Sequence, residues 1–512
     1  MTRRKLLYLS GIMLAGLVLY SFRLTYSALW YDESVEYFLS KYLTGKVPGS
    51  IGNTTNMYQG ICSTYQPPLY NVLMYIWLSF FDSEALFRLA GVLVTLLGAA
   101  GLYLGLFELS GLTCAVAGAI VYLTVPKTAY YALECAEYNL MLCCECWTLY
   151  FFVKCLTHKD KFSLAGFFVC ASLAVYSQYG AVFFAAGLYI VLAACSFRDK
   201  VMLRRIAVAT ITTAIIAVLP LVYFFLVPQV IHQGTTSISH TPVFARGNIL
   251  YDFARGIWRQ AKWMLHVDIK TEWDILGIMH KAARALPVLG GIVAVMAMVF
   301  RRDKKCVLLL WGCVVSWVLY WLCVATSIYA YNSWSGSTGF GNRYGLFLLP
   351  LWVFTLACAS SVFCRTFKRK LVWLGLVICF AGAGAFYVYS GWNKEDVREA
   401  AKVWYKENGF NVKTLVHQWY DANFQFYIRH DENYRESFQE NIVTAGLWIR
   451  AAKRQELHDE LKAMGIFEYD KLIYIAPVNE YLEDFKQLAM DLGYQCNSLY
   501  EEKSALLFLH KD

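Results

Sequence analysis

Apolar residues come in long blocks along this chain, separated by short basic intervals or by longer polar, aromatic ones. Blocks long enough to cross a bilayer fall at about 6–22, 85–107, 112–128, 138–156, 163–178, 180–197, 206–227, 285–300, 306–329, 343–363 and 371–390. The block 69–81 is too short and too aromatic to span, and reads as a helix lying in the membrane interface. The pattern predicts a mainly α membrane protein with about eleven transmembrane helices. The first block follows Thr2-Arg3-Arg4-Lys5. No small-residue cleavage site comes after it and many similar blocks do, so it reads as a retained span rather than a signal peptide.

Beyond Trp392 the pattern changes to short β-like runs alternating with amphipathic helices. Lys413–Gln418, Lys471–Ala476 and Ala505–His510 read as strands; Glu395–Asn408, Ala451–Met464 and Glu480–Leu492 read as helices. The expected organisation is a membrane domain over 1–391 and a small soluble α/β domain over 392–512. That domain shows no glycine-rich phosphate loop, paired-cysteine zinc pattern or nucleophile elbow, which favours a docking or lid role.

Charge orients the chain. If the N-terminus is cytoplasmic, Arg3-Arg4-Lys5, Lys159/Lys161, Arg198/Lys200/Arg204/Arg205, Arg301-Arg302/Lys304-Lys305 and Arg365/Lys368-Arg369-Lys370 all fall inside, as the positive-inside rule requires. Loops Arg23–Glu84 and Pro228–Arg284 are then outside, and so is the tail. Residues 392–512 carry 15 Lys+Arg and 21 Asp+Glu, against 31 and 16 in 1–391. The net +9 thus belongs to cytoplasmic loops of a plasma-membrane protein and implies no nucleic-acid partner. Most of the 16 cysteines lie in apolar blocks, where they act as small hydrophobes. The CxxC of Cys143–Cys146 is inside a span and reads as packing, which leaves Cys62 and Cys496 as the outside cysteines able to pair.

Candidate chemistry gathers on the outer side. Trp30-Tyr31-Asp32-Glu33 follows the first span, and Tyr65-Gln66-Pro67-Pro68-Leu69-Tyr70 closes the first loop, its two prolines suited to start a helix. Two adjacent acids are ordinary at a helix N-terminus covering Ser34–Leu43, although capping accounts for only one of them well. Glu134 and Glu137 are three apart and share a face if the segment is helical. Glu145 falls within a span, as a functional group or as the partner of another polar helix residue. Cations at the outer level are Arg88, Lys127, Arg246, Arg255, Arg259, Lys262 and Arg343; the last, in Gly339-Phe340-Gly341-Asn342-Arg343-Tyr344, is equally an arginine reaching head-group phosphates. Acids and cations on one face suit glycosyl transfer: a carboxylate base for the acceptor hydroxyl and positive charge for a departing phosphate.

These motifs carry a resemblance. Asp32-Glu33 after the first span, Gln66-Pro67-Pro68-Leu69-Tyr70, Leu86-Phe87-Arg88-Leu89 and Asn342-Arg343-Tyr344 with Pro350 follow the order of the polytopic glycosyltransferases of fold C. The chain resembles in particular the bacterial relatives of protein O-mannosyltransferases and lipid A aminoarabinose transferase. Trp392–Arg398 also resembles the start of that family's extracytoplasmic tail. The resemblance implies an inverting transferase that moves a sugar from a polyprenyl-phosphate carrier to a lipid, glycan or protein acceptor outside the membrane. It implies that Asp32 is the base, with Glu33 supporting it or a metal. Glu134 matches a second acidic site, with Glu137 beside it; Tyr138 fits that pattern, but Ala136 stands where the family has arginine. Tyr65, Gln66, Arg88, Tyr138 and Arg343 are the implied substrate and donor-phosphate residues. Some members use Mg or Mn, for which Glu33 and Glu134 are the available ligands. A lipid-linked sugar transporter and an oligosaccharide ligase or polymerase are the alternatives. The chain lacks the two related halves of a transporter, and the early Asp-Glu and Pro-Pro-Leu elements argue against a ligase.

Overall fold

The computed structural model describes residues 3–41, 57–64, 66–233, 304–325, 343–363, 397–430, 441–445, 461–463, 465–478, 480–502 and 504–511, with scattered positions between 375 and 388 and at 459. Its helices begin with α1 (Arg3–Ser21), α2 (Tyr31–Lys41), α3 (Met57–Cys62), α4 (Leu69–Phe80) and α5 (Glu84–Ser110). There follow α6 (Leu112–Thr124), α7 (Pro126–Leu133), α8 (Tyr138–Thr157), α9 (Lys161–Ser177), α10 (Ala181–Ser196) and α11 (Lys200–Ile231). Then come α12 (Lys304–Ala325), α13 (Leu349–Phe363), α14 (Val397–Lys406), α15 (Gln418–Ile428) and α16 (Glu480–Asp491). The chain divides into two compact units: Met1–Leu24, Ile61–Leu73 and Ala85–Gly391 form the first, and Thr25–Gly60, Met74–Glu84 and Trp392–Asp512 the second.

In the first unit the helices follow the apolar blocks. Among the described residues α5, α8 and α11 are each long and apolar enough to cross a membrane alone, and α6 with α7 passes that test only as a pair bent by 59°. Shorter apolar helices match the blocks at 6–22, 163–178, 180–197, 306–329 and 343–363, the last opening with a 3-10 turn over Arg343–Leu348. The block 285–300 and most of 371–390 lie outside the described residues. Pro126 explains the bend. It has no N–H to give the carbonyl of Tyr122 and its ring crowds the preceding turn, so α6 ends at Thr124 and α7 restarts with proline in its first turn. Helix α8 packs along α9, α10 against α12, and α6 against α13.

The second unit is built on a five-stranded sheet of β1 (Lys413–His417), β2 (Ile442–Ala445), β3 (Lys471–Pro477), β4 (Gln495–Glu501) and β5 (Ser504–His510), in the order β2-β1-β3-β5-β4. The β2-β1-β3 half is parallel and the β3-β5-β4 half antiparallel. Alternate residues face opposite sides. Leu415, Leu472, Tyr474, Leu507 and Leu509 pack under Leu482 and Phe485 of α16. Val416, Ile473, Ile475 and Leu506 pack against Trp404 of α14 and Phe424 of α15. The central strands are therefore buried on both faces and read as continuous apolar runs. The expected strands at 413–418, 471–476 and 505–510 and the helices near 397–406 and 480–491 are present; β2, β4 and α15 were not anticipated. Most of 451–464 lies outside the described residues.

Replacing a fully buried residue at the sheet centre is expected to unfold this unit first. Leu507→Ala should cost about 2–5 kcal/mol, read as a lowered melting temperature of the tail in the detergent-solubilised chain.

Candidate functional site

The break between α7 and α8 holds the second pair of acids. After Leu133 the backbone straightens at Glu134 (φ −95°, ψ 130°), and Glu137, with helical dihedrals (φ −63°, ψ −16°), occupies the position just ahead of α8. Glu134 and Glu137 are both buried, with 3% exposure each. They do not share a helical face as the spacing suggested: one closes α7 and the other opens α8. The amide of Asn139 holds the turn, Nδ2 donating to the carbonyls of Tyr131 (3.3 Å) and Glu134 (3.4 Å). Gly91 of α5 lies directly beneath. A Cβ there would stand 2.6 Å from Asn139 Nδ2 and 2.8 Å from the Ala132 carbonyl oxygen. Tyr138 is buried with its ring 4.7 Å from that of Tyr131, which meets Tyr130 edge-on, and Lys127 Nζ lies over Tyr130.

The Pro-Pro-Leu element is held in a similar way. Gln229, fully buried on α11, donates from Nε2 to the carbonyls of Ile61 (3.0 Å) and Gln66 (2.7 Å), and Tyr179 donates its hydroxyl to Gln229 Oε1. Pro68 accepts the first helical bond of α4, from Val72 N, so the two prolines do open a helix. The Gln66 side-chain oxygen is buried and accepts no hydrogen bond among the described residues. Arg88 is buried at 1% exposure on α5 and donates from Nη1 to the Leu24 carbonyl. Tyr65, Arg246, Arg255, Arg259, Lys262 and the side chain of Arg343 lie outside the described residues.

In the second unit Asp32 and Glu33 occupy the first turn of α2. Glu33 is fully buried and accepts through Oε2 from the backbone N–H of Trp30 (3.2 Å), the residue that caps the helix. This is the reciprocal half of a capping box, and assigns the capping role to Glu33. Asp32 remains partly exposed. Toward the other end of α2 lies a charged cluster that carried no sequence motif. Asp82 Oδ1 accepts from Tyr37 OH (2.7 Å), and Asp82 Oδ2 pairs with Lys41 Nζ at 2.8 Å. Arg429 donates from Nε to Tyr37 OH (2.9 Å), with Nη2 3.5 Å from Asp82 Oδ1. Burial pushes the Asp82 carboxyl upward, but hydrogen bonds from Lys41 and Tyr37 and the charges of Arg429 and Lys41 outweigh it and hold it below the usual carboxylate range. Burial, then Arg429, lowers His430.

Several expectations resolve differently. Among the described residues no three His, Cys, Asp or Glu side chains converge to hold a metal ion. Among the described residues Cys62, Cys496, Cys143, Cys144 and Cys146 form no disulfide. Glu145 is fully buried on α8, and neither of its carboxyl oxygens has a hydrogen-bond partner among the described residues, so the expected polar helix partner is not found there.

Two outcomes test this geometry. Gly91→Ala should lower the melting temperature of the solubilised protein, because a backbone oxygen must move; overpacking of this kind costs about 1–3 kcal/mol. Gly11→Ala, with nothing within 4 Å of its Cβ, should leave the melting temperature level or slightly higher. The second concerns Asp82. Its folded pKa lies below the ordinary 3.8, so its stabilising contribution is present at neutral pH and lost as pH falls through the folded value. Asp82→Asn should destabilise the tail unit at pH 7, and the difference from wild type in thermal melts should close below about pH 3.8.

Residues 65–224 match the family model described as dolichyl-phosphate-mannose-protein mannosyltransferase. No curated protein matches the chain in sequence. Among solved structures, the chain is similar to ArnT from Cupriavidus metallidurans bound to undecaprenyl phosphate, with 10% identity and a TM-score of 0.55 over 98% of this chain and 97% of that one. It is also similar to the oligosaccharyltransferase AglB from Archaeoglobus fulgidus in complex with an inhibitory peptide and a dolichol-phosphate, with 13% identity and a TM-score of 0.53 over 96% and 71% of the two chains. The apo form of the Archaeoglobus enzyme matches at 13% identity, with a TM-score of 0.55 over 98% and 74%. The resemblance read from the motifs is thereby supported: residues 65–224 match the mannosyltransferase family model, and the chain is similar in fold to ArnT and AglB.

Proposed function

We propose that this protein is a membrane glycosyltransferase that takes a sugar from a polyprenyl-phosphate carrier and passes it, with inversion, to an acceptor hydroxyl on the outer face of the membrane. The observation that carries the reading is the division of labour in the first turn of α2. Glu33 is buried and accepts from the Trp30 N–H, whereas Asp32 beside it is partly exposed at the start of the helix. The family pattern over residues 65–224 supplies the chemical class. The undecaprenyl phosphate of ArnT and the dolichol-phosphate of AglB support a lipid-phosphate donor.

In this reading the acceptor oxygen forms a bond to the anomeric carbon while its proton passes to the Asp32 carboxylate. The bond from that carbon to the phosphate oxygen breaks, and the lipid phosphate leaves with the electron pair. Attack opposite the leaving group inverts the anomeric configuration. Arg88 and Arg343 supply positive charge for the departing phosphate. Glu134 and Glu137, with Tyr138, act as the second acidic site, and Gln66 and Tyr65 contact substrate. The proposed steps use side chains alone, and the tail unit is extracytoplasmic, with the N-terminus in the cytoplasm.

The test is transfer of labelled sugar from lipid carrier to acceptor by purified protein. Asp32→Asn is expected to lower kcat by about 10²–10⁴-fold while leaving binding of the lipid phosphate intact. Equal turnover by both proteins would remove Asp32 from the role. Translocation of the lipid in vesicles with no transfer from any donor would favour a transporter instead.

A further inference from the structure

We propose that the C-terminal unit positions the helix that carries Asp32, and that Arg429 and Tyr427 are its positioning residues. This rests on the reading of Asp32 as the base. Helix α2 has 11 residues, five of which are Tyr31, Asp32, Glu33, Glu36 and Lys41. A helix of that length and composition does not hold itself in water, so its rotation and pitch are set by what grips it. Contacts from the tail reach it and its approach at both ends. Ahead of the helix, Arg398 donates from Nη1 to the Thr25 carbonyl (3.0 Å), and Tyr427 OH accepts from the backbone N–H of Leu29 (2.7 Å). In its second half, Phe426 meets the Tyr37 ring edge-on at 4.8 Å, and Arg429 lies over that ring while donating to its hydroxyl.

The two ends share one origin. Phe426, Tyr427 and Arg429 are consecutive or nearly so at the end of α15. Leu29 lies just ahead of α2, and Tyr31 and Tyr37 are six residues apart on it, about 9 Å along a helix at 1.5 Å per residue. One turn of the tail therefore spans α2 from its start to its middle, with Asp32 between the two grips. Asp82 completes the hold: it binds Tyr37 OH and Lys41, and Lys41 also donates to the Leu78 carbonyl at the end of α4. Arg429 has only 9% side-chain exposure. A guanidinium so placed cannot swing away without leaving Asp82 and Tyr37 half-paired, which makes the arrangement a rigid stop rather than a loose surface pair. A base displaced by about 1 Å can lose on the order of 10²-fold in rate. The hold on α2 is thus a control on turnover more than on binding.

The experiment uses the full-length protein and two measurements: turnover with a polyprenyl-phosphate sugar, and amide hydrogen exchange of the peptide covering 28–41. Arg429→Ala is expected to lower kcat by about tenfold to a hundredfold with the KM for donor within about twofold, and to quicken exchange across 28–41. Arg429→Lys should recover part of both, and Tyr427→Phe should give a smaller change of the same sign. Lys486→Ala, which removes an ion pair to Glu483 and Glu501 elsewhere in the tail, should alter neither. Wild-type kcat in Arg429→Ala overturns the proposal, as does a lost kcat with unchanged exchange at 28–41. If Arg429→Ala does not fold, Tyr427→Phe carries the same two readings. Full activity in Asp32→Asn would sink the base assignment alone, whereas unchanged exchange in Arg429→Ala beside an inactive Asp32→Asn would sink the positioning role alone.

Discussion

Where a helix breaks inside an apolar protein, the carbonyls it frees have no water to turn to, and the fold must bring them a donor. Two breaks in the first unit are closed in the same manner. Between α7 and α8 the donor is Asn139, whose amide reaches the carbonyls of Tyr131 and Glu134. Between α3 and α4 it is Gln229, which reaches Ile61 and Gln66. A primary amide suits both places because its two hydrogens can serve two carbonyls at once without introducing charge. The candidate residues Glu134, Glu137 and Gln66 sit at these closures, so their placement depends on the amides more than on the helices they interrupt.

The second unit solves a different problem. A short helix rich in charged and aromatic residues cannot persist unless something packs on it, and the chain supplies that packing from residues nearly four hundred positions away. Tyr37, Lys41, Asp82 and Arg429 concentrate one acid, two cations and a phenol in a half-buried space. Each group is satisfied by more than one neighbour. That sharing separates such a cluster from an isolated surface ion pair, which contributes little. It also explains why Thr25–Gly60 and Met74–Glu84 belong with the tail by contact although they follow the first apolar helix in sequence.

The apolar blocks predicted most of the described long helices, because a stretch that must satisfy its own backbone in lipid announces itself by length and composition. The strands at the centre of the tail sheet were equally legible, since burial on both faces makes them continuous apolar runs. The elements that escaped have weak patterns for definite reasons. β4 is an edge strand, mostly exposed and polar, with Gln495, Asn497, Ser498 and Glu501 in its seven residues. Helix α15 is buried on several sides, so Asp421, Asn423 and Gln425 are interior where an amphipathic stripe would have put them outside. The helical spacing of Glu134 and Glu137 misled because the chain turns between them, a turn held by Asn139 and Gly91 and invisible in a count of residues.

Residue order alone thus determined that this is a polytopic membrane chain with an α/β tail, and that Asp32-Glu33, Pro67-Pro68 and Arg88 stand in the sequence of a known glycosyltransferase pattern. Hydrophobic transfer and backbone satisfaction act locally, so they leave their mark on consecutive residues. Which acid caps α2 and which stays accessible, which amides close the breaks, and that Arg429 meets Tyr37 were decided only by the tertiary structure. Gln229 and Arg429 meet partners from distant parts of the chain, and the Glu33 and Asn139 contacts depend on how the backbone turns beside them, neither of which a local pattern encodes.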